Sequence, residues 1–301
     1  TMEYVLEEGN NKDWFNDEHI VMGTVAMVVG GFFFFHRVFR VDFPVVDLRA
    51  FSNANFAFGS LFSFVMGVGL YGLTYLYPVY LGRIRGYDSM MIGETMFVPG
   101  AAMFLTAPVA GALSSKLDPR IMMMVGFAGF AAGTYTMTYM TADWDFYELL
   151  VPQILRGCSL MLCMVPINNI ALGTLPPDRI KNASGLFNLT RNLGGAVGLA
   201  VINTMLTQRS DEHYARLSEH ADWGNRAALD WLASVGANYD SYGLDGTAVA
   251  MQKLSGVITQ QSWLLSFIDV FMGLTLLFLS LIFLVFLIKK PSAPAPAGAG
   301  H

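Results

Sequence analysis

SWLLSFIDVFMGLTLLFLSLIFLVFLI, residues 262–288, decides the class of this protein. The stretch carries one charged side chain, Asp269, and exceeds the roughly 20 apolar residues that cross about 30 Å of hydrocarbon at about 1.5 Å per residue. Working outward from it, the same test finds apolar stretches at 183–207, 149–172, 120–141, 90–114, 56–81 and 20–36, the last being the shortest. The expectation is an all-α transmembrane protein of seven helices. The connections Gly86-Tyr87-Asp88, Asp118-Pro119-Arg120 and Pro176-Pro177-Asp178 have turn chemistry, not core chemistry.

Composition agrees: 54% of residues are hydrophobic and 14% charged, where soluble domains carry about 25% charged residues. A net charge of −5 and the lack of any Lys/Arg-rich run give no reason to expect nucleic acid as a partner. Cys158 and Cys163 fall in one apolar stretch and read as packing residues. The opening, with Glu3, Glu7, Glu8, Asp13, Asp17 and Glu18, is acidic where a secretory signal would be basic. It reads as a loop joining a preceding helix, so the chain is expected to be a fragment.

Short cytoplasmic loops retain positive charge. Arg37, Arg40, Arg49, Lys116, Arg120, Arg179, Lys181, Lys289 and Lys290 share one side and outnumber Lys12, Arg83 and Arg85 on the other. The C-terminus is therefore expected in the cytoplasm. The acidic opening, the turn with Asp143, Asp145 and Glu148, and the segment 208–261 are expected outside. That segment, with Trp223, Trp231, Tyr239 and Tyr242, reads as a small helical cap or as a plain surface loop. The Pro/Ala/Gly tail 291–301 has the composition of a disordered terminus.

None of His19, His36, His213, His220 and His301 lies mid-span or near a Glu at metalloprotease spacing, so no metal site and no hydrolytic enzyme is expected. No cofactor is implied, and without a lysine inside a span a retinal Schiff base is excluded. The chemistry-bearing residues are the charges placed where lipid makes them unfavourable: Glu94, Arg156, Arg191 and Asp269. Glu94, Arg156 and Asp269 fall roughly 6–11 Å below the outer ends of their helices, which predicts a shared ion pair. The competing reading has Glu94 and Asp269 reaching the headgroups while Arg156 snorkels.

Arg191 has Asn188 and Asn192 beside it, with Asn168 and Asn169 near the inner end of the span 149–172. These amides either hydrogen-bond to the arginine or cap helix packing. Tyr71 and Tyr75, one turn apart behind Gly67, Gly69 and Gly72, could line an adaptable pocket together with the chain's 18 methionines. An interfacial aromatic belt accounts better for Tyr77 and Tyr80. Gly194, Gly195 and Gly198, like Gly126, Gly129 and Gly133, predict close helix packing.

Several stretches together resemble one family, the fourteen-helix drug–proton antiporters of the major facilitator superfamily. They are Gln153-Ile-Leu-Arg156-Gly157 with Pro166-Ile-Asn168-Asn169-Ile-Ala171-Leu, and Ala183-Ser-Gly185-Leu-Phe-Asn188-Leu-Thr-Arg191-Asn192-Leu-Gly194-Gly195-Ala-Val-Gly198. Further pieces are Gly86-Tyr87-Asp88 running to Pro99, Asp269-Val-Phe271, and Tyr4 to Phe15 in the opening loop. Gly111-Ala-Leu-Ser-Ser115-Lys116-Leu-Asp118-Pro-Arg120 resembles the C-terminal copy of the superfamily's inner-loop signature, with Ser115 where an acidic residue is often found.

The resemblance implies a multi-pass inner-membrane protein with three parts: 1–55, an outer acidic segment, a linker helix at 20–36 and an inner loop; 56–290, a C-terminal bundle of two inverted three-helix repeats; and the tail 291–301. It implies that an N-terminal six-helix half completes the passage. The function implied is multidrug efflux, the export of hydrophobic or cationic small molecules in exchange for protons by alternating access. Tyr71, Tyr75, Gln153, Arg156, Asn168, Asn169, Asn188, Arg191 and Asn192 are its cavity candidates. Relatives in Gram-negative bacteria often work with a periplasmic adaptor protein, a partner that enters by resemblance alone. Two alternatives stay open: a non-transporting assembly or sensor module, and an exporter of one specific metabolite.

Overall fold

The structure is a computed structural model that describes residues 4–5, 8–9, 12, 14–40, 48–220, 226–240 and 245–288. The expectations for Glu3, Glu7, Asp13, Trp223, Tyr242, Lys289, Lys290 and the tail 291–301 lie outside the described residues. Most of the described chain is helical: α1 (Glu18–Arg40), α2 (Ala54–Tyr80), α3 (Ser89–Ser114), α4 (Pro119–Thr136), α5 (Phe146–Gly173), α6 (Pro177–His220), α7 (Arg226–Asp240) and α8 (Gly246–Val285).

Among the described residues, 6 helices are long and apolar enough to cross a membrane: Glu18–Val38, Ala54–Arg85, Ser89–Ser114, Pro119–Tyr139, Phe146–Gly173 and Gly246–Val285. The seventh expected span, 183–207, lies inside α6. Asn188, Arg191, Asn192 and Asn203 dilute its apolarity, yet it packs between α2 and α8 as a bundle member. Apart from the cap residue Asp245, the segment 208–261 is helical wherever it is described: α6 runs on to His220, α7 follows, and α8 begins at Gly246. α7 lies against α8.

Turn carboxylates and amides set where the helices begin. Asn53, Asp88, Asp118 and Asp245 cap α2, α3, α4 and α8, each accepting a hydrogen bond from a first-turn backbone N–H. Asp145 and Glu148 form a capping box on α5, with Glu148 Oε2 accepting from Asp145 N at 3.0 Å. At the far end of α2 the chain widens into a π-turn, Leu81–Arg85, and reverses at Gly86, whose φ of 68° suits glycine. Arg85 holds that turn to Asp145 at 3.3 Å.

Two glycine seams let helices touch backbone to backbone. A Cβ on Gly194 would strike the Phe64 carbonyl oxygen of α2, and one on Gly67 would strike the Arg191 carbonyl oxygen of α6. On α4, a Cβ at Gly126 would strike the Cys163 thiol of α5 and one at Gly129 the Ser159 hydroxyl. Phe62 against Phe127 (5.5 Å between centroids) and Phe130 stacked on Phe278 (4.6 Å) tie α2, α4 and α8 into one core. Tyr77 and Tyr80 belong to this core and to no interfacial belt. Both are buried, Tyr77 lies edge-on to Phe271, and Tyr80 donates to the Thr141 carbonyl at 2.7 Å. The α2–α8 contact places them inside, where the hydroxyl of Tyr80 finds a backbone acceptor.

Candidate substrate cavity

α2, α5 and α6 carry a row of polar side chains through otherwise apolar helices. Arg191 Nε donates to Ser63 Oγ at 3.1 Å and its Nη2 to Asn168 Oδ1 at 3.2 Å. The guanidinium also sits 5.3 Å from the Phe187 ring centroid. Tyr71 donates to Asn192 Oδ1 at 3.3 Å and Tyr75 to Asn203 Oδ1 at 2.9 Å. The tyrosines repeat after one turn and the asparagines after about three, so both pairs fall along the α2–α6 seam. Asn169 is half-buried and Asn188 exposed, and neither joins these bonds.

Arg156 occupies a different place, between α2, α3 and α5. It is 7% exposed. Its Nη2 donates to Thr74 Oγ1 at 2.6 Å and to the Leu70 carbonyl at 3.4 Å, and its guanidinium lies 5.6 Å from the Tyr77 ring centroid. Nη1 is buried without a hydrogen-bond partner. One turn back along α5, Gln153 is fully buried and neither Oε1 nor Nε2 has a partner. Arg156 lines a cavity of about 200 Å³ with Leu70 and Thr74 of α2 and Met96, Gly100 and Met103 of α3.

The expected ion pair of Glu94, Arg156 and Asp269 does not form. Asp269 Oδ2 instead meets His213 Nε2 at 2.9 Å and Arg209 Nε at 3.6 Å. The cause is the length of α6: it continues past residue 207, carrying Arg209 and His213 one turn apart onto the face opposite Asp269. Glu94 is exposed on α3 near Phe97 and Phe146. In the inner-loop signature, Gly111 and Lys116 are exposed, and Asp118 Oδ1 accepts from Arg120 N at 3.1 Å as a helix cap. Arg120 Nε is buried without a partner.

Sequence reasoning missed Ser63, Thr74, Asn203, Arg209 and His213. Asn203 was legible as a continuation of the Asn192 face of α6. Ser63 and Thr74 were not, because a hydroxyl inside an apolar helix is ordinarily satisfied by its own backbone.

Residues 15–199 match the family model of the Major Facilitator Superfamily. The chain is 35% identical to the Colistin resistance protein EmrB of Acinetobacter baumannii, over 96% of this chain and 56% of that protein. It is 30% identical to the Multidrug export protein EmrB of Escherichia coli K12, over 100% of this chain and 58% of that one. It is 28% identical to the Fatty acid resistance protein FarB of Neisseria gonorrhoeae, over 100% and 58%. The chain thus spans little more than half the length of these relatives.

Proposed function

This chain belongs to the Major Facilitator Superfamily, and on that footing we propose that it forms the C-terminal half of a secondary active exporter of hydrophobic or cationic small molecules, exchanged for protons by alternating access. The observation that carries the reading is the polar row on α2, α5 and α6: Tyr71–Asn192, Tyr75–Asn203 and Arg191 with Ser63 and Asn168. Polar groups inside membrane helices are unfavourable unless they face protein or a solute path. The names of the relatives, which denote multidrug export, colistin resistance and fatty acid resistance, support cargo of this general kind.

On this reading the bundle 56–290 rocks against an N-terminal six-helix half, with α1 as a linker helix and the cargo held near mid-membrane. The exposed faces of α3 (Phe97, Phe104, Leu105) and α8 (Leu276, Phe283) meet lipid. The C-terminus is cytoplasmic and the protein sits in the inner membrane. The helices described within 208–261 face outward, where a periplasmic adaptor would reach them.

The test is flux. With the N-terminal half present and the protein reconstituted in vesicles, an imposed pH gradient should drive a lipophilic dye across the membrane, and collapsing the gradient should stop it. Dye movement that ignores the gradient would refute proton exchange.

A further inference from the structure

We infer that the cavity between α2, α3 and α5 is an anion site, in which the carboxylate of an amphiphilic acid docks on Arg156 while its apolar tail lies along Leu70, Met96, Met103 and Leu160. The inference rests on the exporter reading for its place in transport, but its chemistry stands on this chain alone. A guanidinium stays charged in any protein environment and offers donors only. Thr74 Oγ1 and the Leu70 carbonyl hold Nη2, which fixes the plane of the group and leaves Nη1 as a buried donor without an acceptor.

A buried charge without a counter-charge is strongly unfavourable, and the described carboxylates do not supply one. Asp269 is engaged by His213 and Arg209, Asp145 by Arg85, and Glu94 is exposed. Gln153 adds an unpartnered amide one turn away on the same helix. A carboxylate brings what is lacking, two anionic acceptor oxygens for charge-assisted bonds. The walls suit its tail: two methionines adapt to irregular shapes, and Gly100 adds no bulk to the lining, where a Cβ would meet nothing within 4 Å.

Calorimetry on the chain held in lipid nanodiscs, with empty discs subtracted, tests this with three probes of equal chain length: octanoate, octanol and octyltrimethylammonium. Octanoate should bind at least about tenfold more tightly than either of the others, the gain expected of one desolvated charge-assisted contact. Arg156→Gln should erase that preference and Arg156→Lys should keep part of it. Gly100→Leu adds bulk to the cavity lining and leaves the arginine in place, so it should weaken octanoate binding even if Arg156→Gln does not fold. Octanoate binding no tighter than octanol, or a preference that survives Arg156→Gln or Gly100→Leu, overturns the anion site. Dye flux under a pH gradient is read separately, so a failure here is distinguishable from a failure of the exporter reading.

Discussion

Arg191 and Arg156 are the same chemistry in two settings. Arg191 lies on the α2–α6 seam, with two side-chain acceptors and no nitrogen buried without a partner. Arg156 has one side-chain acceptor, one long bond to a carbonyl, and a buried nitrogen without a partner, in a residue that lines a cavity. The first charge is half-buried and ties α2, α5 and α6 together through Ser63 and Asn168. The second is held through Nη2 alone and leaves Nη1 buried without an acceptor. Satisfaction of the donors, more than burial or position along the helix, separates a residue that builds the bundle from one that waits for a solute.

The strongest way to break the contrast is to remove the seam. Gly194→Leu would drive a side chain into the Phe64 carbonyl, forcing α2 from α6 and separating Arg191 from Ser63. Overpacking of this kind should destabilise by about 3 kcal/mol or more, seen as loss of the cooperative thermal transition in detergent. Gly100→Ala, set inside α3 where a Cβ meets nothing, should keep the cooperative transition and raise stability by up to about 1 kcal/mol.

Next come the arginines themselves. Arg191→Met strands Asn168 and Ser63 and should lower stability by about 1–3 kcal/mol. Arg156→Met removes a buried charge that the described residues leave uncompensated, so stability should hold or rise by up to about 1 kcal/mol. Thermal melts of the two variants side by side read the difference in sign. Equal losses would mean that Arg156 is as structural as Arg191.

Much of this was legible in the sequence because lipid imposes simple rules. Apolar length located the helices, and turn residues such as Asp88 and Asp118 marked their starts. Small-residue spacing at Gly194, Gly195 and Gly198 predicted the seam that the structure shows against Phe64, Tyr71 and Val68. Which face a charge turns was not legible. Asp269 looked available to Arg156 because equal depth was the only constraint at hand. The extension of α6 past 207, which brings Arg209 and His213 to it, depends on a polar helix that hydropathy does not mark. Tyr77 failed likewise: a tyrosine near a helix end fits a belt or a core equally until the partner helix is known.

The finest discrimination lies between the two tyrosines one turn apart. Tyr75 is half-buried and donates at 2.9 Å, whereas Tyr71 is exposed and donates at 3.3 Å to an asparagine that is itself exposed. Hydrogen bonds between membrane helices average about 0.6 kcal/mol, and that average should divide unequally here. Tyr75→Phe should lose about that amount and Tyr71→Phe clearly less, measured by thermal unfolding against the unsubstituted chain. If the two losses are equal, the Tyr71 bond is as firmly made as the Tyr75 bond and Tyr71 belongs with Arg191 among the residues that hold the seam. If Tyr71→Phe is silent while dye flux falls, the hydroxyl is free to leave Asn192 for a solute, and the dividing line between builders and binders runs through α2 itself.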